Sequence, residues 1–250
     1  MVMGNIPQVT APESIGLPSR TRACLFDVDG VLTQTAKLHA AAWKQMFDAY
    51  LREHAQRTGQ PFVPFEMADY ARSVDGKLRA DGARSFLISR GLEAPEDLVE
   101  DLAKRKDELL LELLRTKHVE TYDGSVRFVR AARKAGLRTA VVSASQHCRE
   151  VLASAGIEDL FDARIDGHVA AERHLAGKPA PDTFLAAART VGAEPGESAV
   201  FEDALAGVDA GRAGHFGYVV GVDRVGQAAE LRRHGADIVV TDLATMLEPR

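Results

Sequence analysis

The sequence predicts an α/β fold: a doubly wound, Rossmann-like parallel sheet interrupted by an inserted, all-helical cap. Three observations carry this. Short apolar runs ending in polar or acidic residues alternate with helical patterns. After the first run, residues 37–118 carry helical spacing and no strand of comparable strength. Four run ends hold residues suited to phosphate and metal chemistry, and open parallel sheets bind ligands at the carboxyl ends of their strands.

Taken in order, residues 1–19 contain no Lys or Arg and three prolines, Pro7, Pro12 and Pro18. A signal peptide needs a basic start and an apolar stretch, so this segment reads as an extended or loosely ordered leader. Ala23-Cys24-Leu25-Phe26-Asp27 reads as a buried strand feeding a polar loop. Similar runs recur at Thr139–Ser143, Ala199–Phe201, Tyr218–Val222 and Ile238–Val240. Helical patterns at Ser125–Ala135, Arg149–Ala155, Asp182–Val191 and Gly226–Arg233 separate most of them. Inside the insertion, Ala42, Met46, Phe47, Tyr50 and Leu51 make one stripe. Leu98, Leu102, Leu109, Leu110, Leu113 and Leu114 make another. The expected division is a core of 20–36 plus 119–250, with a cap at 37–118.

Composition narrows the function classes. A hydrophobic fraction of 46% supports a normal core and excludes wholesale disorder. The net charge of -5, from 31 basic and 36 acidic residues, argues against a nucleic-acid coat. No apolar run approaches the roughly 18 residues of a membrane helix. Cys24 and Cys148 form no CxxC pair, so no disulfide framework is expected and the cytoplasm is the default compartment. A monomer acting on a small molecule is expected, with neither nucleic acid nor membrane as partner.

The first loaded end is Asp27-Val28-Asp29-Gly30-Val31-Leu32-Thr33. Asp27 and Asp29, two apart on an extended chain, can share a site. Carboxylates that close need a proton or cation between them, and Mg²⁺ favours a few carboxylates plus waters and phosphate oxygens. The second is Val141-Val142-Ser143-Ala144-Ser145, hydroxyls before a helix, which suits a phosphate. The third is Gly177-Lys178-Pro179-Ala180-Pro181-Asp182, a proline-fixed loop presenting Lys178. The fourth is Phe201-Glu202-Asp203, again paired carboxylates. Each motif alone is common in loops. Their joint occurrence, in this order and at strand ends, is what points to chemistry.

With these motifs in place, the chain resembles the haloacid dehalogenase (HAD) superfamily from about residue 22 to 245. It is most similar to the beta-phosphoglucomutase branch. DVDGVLTQTAKLHAAAW at 27–43, SAS at 143–145, KPAPD at 178–182 and FEDALAGVDAG at 201–211 carry the match. The resemblance implies Asp27 as a nucleophile that becomes an aspartyl phosphate. It implies Asp29 as general acid/base, whose backbone carbonyl also binds Mg²⁺. Glu202 and Asp203 would complete the metal site with Asp27. Ser143, the Ala144 N–H and Lys178 would hold the transferring phosphoryl group.

A sugar-phosphate mutase needs a second phosphate site, because its bisphosphate intermediate must turn over and rebind. The resemblance places Arg79 on the non-transferring phosphate. It places Lys106 on the substrate, His39 against the acid/base and Thr35 at the hinge. Lys106 also lies four residues from both Leu102 and Leu110, hence on their face. Trp43 reads as cap packing. Gln34 departs from the aspartate common in the mutases, and Lys77-Leu78-Arg79-Ala80-Asp81 is not a strict copy of the mutase loop. The expectation is a Mg²⁺-dependent mutase converting beta-glucose 1-phosphate to glucose 6-phosphate through a 1,6-bisphosphate. The alternatives are a phosphatase of small sugar phosphates and a non-catalytic sugar-phosphate binding protein.

Overall fold

A computed structural model of the chain describes residues 11–117 and 119–248. The elements run β1 (Ala23–Phe26), α1 (Ala36–Thr58) and α2 (Met67–Asp69), which continues as a π-helical turn at Tyr70–Val74. Then come α3 (Arg79–Ser89), α4 (Glu96–Thr116), α5 (Asp123–Lys134), β2 (Arg138–Val142), α6 (Cys148–Ser154) and β3 (Ala163–Ile165). After these follow α7 (Gly167–Glu172), α8 (Asp182–Thr190), β4 (Ser198–Glu202), α9 (Leu205–Ala213), β5 (Tyr218–Val222), α10 (Ala228–His234) and β6 (Ile238–Val240). The sheet is parallel throughout, in the order β3-β2-β1-β4-β5-β6. The winding direction reverses at β1, whose neighbours are β2 and β4, and a crevice opens at such a reversal.

Alternate strand residues feed two cores, as the pleat requires. Cys24, Phe26, Val141, Phe201 and Val220 face Phe128 and Val129 of α5 and Val151 and Leu152 of α6. Leu25, Ala140, Val142, Val200 and Val219 face Phe184, Ala187, Val208, Ala210 and Leu231 of α8, α9 and α10. Phe26 stacks on Phe201 at 4.5 Å. Burying one such ring contributes about 1.5–3 kcal/mol.

The helical insert has a core of its own, built from aromatic rings. Phe47 sits 5.2 Å from Trp43, 5.2 Å from Phe65 and 4.0 Å from Phe86. Two chain crossings join insert and sheet, and they are hydrogen-bonded to each other. Gln34 N–H donates to Glu120 O at 2.8 Å, Tyr122 N–H donates to Leu32 O at 2.9 Å, and Thr33 pairs with Thr121 in an antiparallel bridge.

Five features differ from the sequence reading, one of them the short helix α7 at Gly167–Glu172, which that reading lacked. The leader is not loose where it is described: Pro12–Ile15 forms a 3-10 turn, and Ile15 and Leu17 are buried in the α5-side core with Met246. Its first ten residues lie outside the described residues. β3 is additional; three residues with Arg164 at the centre give too short a pattern to read. So is α9, whose Ala206, Gly207, Ala210 and Gly211 bring it close to the sheet at the expense of a visible apolar stripe. The last core helix begins at Ala228, because the Asp223 carboxylate accepts the Val225, Gly226 and Gln227 N–H groups and holds them as a turn. Cys24 and Cys148 are buried thiols without a disulfide. Among the described residues, no helix is long and apolar enough to cross a membrane.

Candidate active site

The crevice at β1 collects the four loaded strand ends. Asp27 follows β1 directly, its N–H donating to Phe201 O at 3.0 Å. The chain then folds back tightly, with Gly30 N–H donating to Thr33 O at 2.8 Å and Thr33 N–H to Val28 O at 2.9 Å. Gly30 has φ +94°, and a Cβ there would lie 1.8 Å from Asp203 Oδ2. Glycine is therefore demanded twice, by the left-handed backbone and by the carboxylate pressed against it.

Lys178 links the motifs. Its ammonium donates to Asp27 Oδ1 at 2.5 Å and to Glu202 Oε1 at 2.5 Å, with Val142 O at 3.4 Å. Burial alone would lower its pKa; Asp27 and Glu202 outweigh that and hold it above the ordinary lysine value. The other Glu202 oxygen accepts from Ala204 N–H at 2.9 Å. A Cβ at Gly207 would lie 1.8 Å from Glu202 Oε1, so α9 leaves the room that this carboxylate fills.

Asp27, Glu202 and Asp203 are all buried, and each offers an oxygen within 4.8 Å of the others. One ammonium among three carboxylates leaves an excess of negative charge. Burial pushes the acid pKa of Asp27 well up, only partly opposed by Lys178 and reinforced by Glu202 and Asp29. Burial likewise raises Asp203, with Asp75 and Glu202 adding to it. A compact all-oxygen set that resists ionisation suits a hard divalent cation.

The Asp29 carboxylate is turned toward other partners. Its Oδ1 accepts from the Thr35 hydroxyl and lies 3.5 Å from His39 Nε2; its Oδ2 lies 3.4 Å from Ser143 Oγ. Ser143, just beyond β2, accepts from Ser145 N–H at 3.1 Å, and Ala144 lines the cleft beside it. Thr35, beside the chain crossing, is buried and also bonded to Thr33.

The helical insert closes the other side. Lys106 is only 4% exposed although it is a lysine, between Leu102 and Leu110 on α4. Its Nζ lies 3.2 Å from His39 Nδ1 and 5.3 Å from the centre of the Trp43 ring. Trp43 is buried and stacked on Phe47, as packing requires, though one edge lines the cleft. Burial, then Arg79, lowers Lys106 to about 7. Burial, then Lys106, lowers His39 to about 4. His39 is thus neutral near pH 7, accepting from Lys106 at Nδ1 and keeping its proton on Nε2, toward Asp29. Lys106, His39 and Asp29 form a string from insert to core.

Arg79, the first residue of α3, pairs with Asp107 of α4 and donates to Gln146 Oε1 of the core. His147 Nε2 also lies 2.8 Å from Asp107 Oδ1. The motif reading singled out none of Asp107, Gln146 and His147. Their signal was adjacency alone: Asp107 follows Lys106, and Gln146-His147 follow Ser143-Ala144-Ser145. Lys104 and Arg105 are exposed, as their helical positions imply. Gln34 lies beside the crossing and lines a separate cavity. The cleft itself offers about 40 Å³, on the order of three waters at about 15 Å³ each. That is far less than a ligand pocket of about 300 Å³ or more, so the structure describes a closed cleft.

The chain is similar to several known proteins. The family model described as haloacid dehalogenase-like hydrolase matches residues 21–215. A curated beta-phosphoglucomutase of Mycobacterium bovis is 54% identical over 256 residues, covering 97% of each chain. Among solved structures, a hydrolase from Pseudomonas syringae superposes with a TM-score of 0.75 at 23% identity, over 91% of this chain and 96% of that one. A beta-phosphoglucomutase from Clostridium difficile gives 0.73 at 24% identity, over 90% and 92%. These two likenesses establish the fold: an HAD-type sheet with a helical cap. By motif, by fold and by near full-length identity, the chain belongs to the haloacid dehalogenase-like hydrolases, among the beta-phosphoglucomutase-like enzymes.

Proposed function

We propose that the chain is a Mg²⁺-dependent phosphosugar mutase interconverting beta-glucose 1-phosphate and glucose 6-phosphate. The observation that carries this reading is that the cap-end cations Arg79 and Lys106 line the same cleft as Asp27 and Asp203. Lys178 lies at the sheet end, and Arg79 with Lys106 lies at the cap end. A hydrolase needs one phosphate position; a mutase needs two, because each phosphate of a bisphosphate must take its turn at the nucleophile.

In this reading Asp27 attacks phosphorus, and the P–O bond to the sugar breaks as the Asp27–P bond forms. Phosphorylated Asp27 then gives the group to the 6-hydroxyl of beta-glucose 1-phosphate; the resulting 1,6-bisphosphate turns over and returns its 1-phosphate to Asp27, releasing glucose 6-phosphate and regenerating the phosphorylated enzyme. Asp29 removes the hydroxyl proton and returns it to the leaving oxygen in the reverse sense. His39 and Thr35 hold Asp29 in place. Lys178, Ser143 and the Ala144 N–H grip the transferring phosphoryl oxygens, while Glu202 keeps Lys178 against Asp27. Asp27 and Asp203, with Glu202 and the Asp29 backbone carbonyl, would hold Mg²⁺, which neutralises charge on the phosphoryl oxygens when bound. Arg79 and Lys106 would take the other phosphate; an arginine fork matches phosphate oxygens well. The proposed setting is a cytoplasmic monomer.

The test supplies beta-glucose 1-phosphate, Mg²⁺ and a trace of beta-glucose 1,6-bisphosphate, with glucose 6-phosphate and inorganic phosphate followed separately. Isomerisation well in excess of phosphate release is expected. Phosphate release without isomerisation would overturn the reading in favour of a phosphatase. Asp27→Asn should abolish both products while keeping the circular dichroism of the parent.

A further inference from the structure

We propose that Asp107 is a positioning residue for the cap-side phosphate position, holding Arg79 in its reactive orientation when the cap is closed. The inference rests on the two-phosphate reading of the cleft.

One carboxylate oxygen, Asp107 Oδ1, is shared by the Arg79 guanidinium and His147 Nε2, the latter at 2.8 Å. Asp107 and Arg79 come from the cap, while His147 and Gln146 come from the loop after β2. The Asp107–His147 and Arg79–Gln146 bonds therefore exist together only when cap and core meet. Lys106 and Asp107 are adjacent on α4 and point about 100° apart. One turn thus gives its lysine to the His39 string and its carboxylate to the arginine.

A carboxylate beside a phosphate site has a cost, because it repels the incoming anion. It has a compensating effect as well. Arg79 carries side-chain conformational entropy that binding would otherwise have to overcome. Asp107 and Gln146 each take one N–H of a group with five, and the remainder stay aimed as a planar fork. The Asp107 side chain is 24% exposed and sits between a guanidinium and an imidazole. Its charge is balanced before any ligand arrives. Position, rather than attraction, is its contribution.

The experiment compares two probes, beta-glucose 1,6-bisphosphate and inorganic phosphate, by calorimetry with Mg²⁺ on the full chain. Backgrounds are Asp27→Asn alone and Asp27→Asn with Asp107→Ala or Asp107→Asn. Asp107→Ala should weaken the bisphosphate about tenfold while inorganic phosphate moves less than twofold; Asp107→Asn, which keeps an acceptor oxygen, should fall between. Tighter bisphosphate binding in Asp107→Ala would overturn the inference, since Asp107 would then only occupy Arg79. So would equal weakening of both probes, or a bisphosphate bound no better than inorganic phosphate by the parent. A chain that discriminates the probes as expected but does not isomerise would sink the mutase reading and leave the role of Asp107 standing.

Discussion

The two ends of the cleft distribute charge in opposite ways. At the sheet end, three buried carboxylates share one ammonium. At the cap end, Arg79 and His147 share the one carboxylate of Asp107, while the Lys106 ammonium lies apart, 3.2 Å from His39 Nδ1. The first lacks a cation and the second lacks an anion. A sugar phosphate arriving with a divalent ion would satisfy both, which neither end can do for itself. The contrast also separates two kinds of construction. The sheet end is set by residues on rigid strand termini, and the cap end by long side chains that meet across an interface.

The largest effect should come from unbalancing the sheet end further. Lys178→Met leaves Asp27 and Glu202 buried without their shared partner. Removing one member of a buried pair costs about 3–5 kcal/mol, and turnover should fall by about 10³ with the electrostatic donor gone. Urea unfolding and isomerase assays check both; a stability loss below about 1 kcal/mol would mean the trio is already neutralised. At the cap end the damage should be selective. Arg79→Ala should reduce kcat/KM for the sugar phosphate about 100-fold, or about 2.7 kcal/mol, yet reduce hydrolysis of a small artificial phosphomonoester less than threefold. Equal losses on both substrates would remove the distinction between the ends.

The smallest effect is a pH dependence of stability. Asp27, Asp75 and Asp203 all have folded pKa values above their ordinary ones, chiefly through burial, with Asp75 raised from 3.8 to about 7. At these three groups the folded state binds more protons than the unfolded state, opposed in part by His39, whose folded value lies at about 4 against 6.5. Stability therefore falls as pH rises, for Asp75 through the window from 3.8 to about 7. With chelator present, the thermal midpoint should be several degrees lower at pH 7.5 than at pH 5.5. Adding Mg²⁺ should flatten that slope; a chelated midpoint that climbs with pH would contradict the excess of negative charge.

Legibility in the sequence follows the same division. The sheet end was readable because Asp27, Ser143 and Glu202 stand directly after apolar runs, and strand ends converge whenever the sheet is parallel. Lys178 needed only the loop that presents it. Lys106 was readable because a charge on a leucine stripe is conspicuous. The Asp107–Arg79–His147 group was not, since its members are joined across 40 residues in one pair and the cap–core docking brings them together. Nor was the dual engagement of Glu202 by Lys178 and Ala204. The buried Ile15 and Leu17 were hidden by a segment that has no periodicity to display.

The paired crossings between core and cap have a mechanical consequence. Two separate strands would let the cap pivot and twist about several axes. Leu32–Gln34 and Glu120–Tyr122 are instead stitched into a narrow antiparallel ribbon. A ribbon bends easily perpendicular to its plane and resists shear within it, because shear must break the ladder bonds. A cap that moved on such a ribbon would be guided along one arc, as a lid on a strap hinge is, and each closure would return α4 to the same register against the loop after β2. Under the proposed mutase mechanism, repeatable registration of that kind would let a bisphosphate be released from one orientation and met again in the other by an unchanged set of partners.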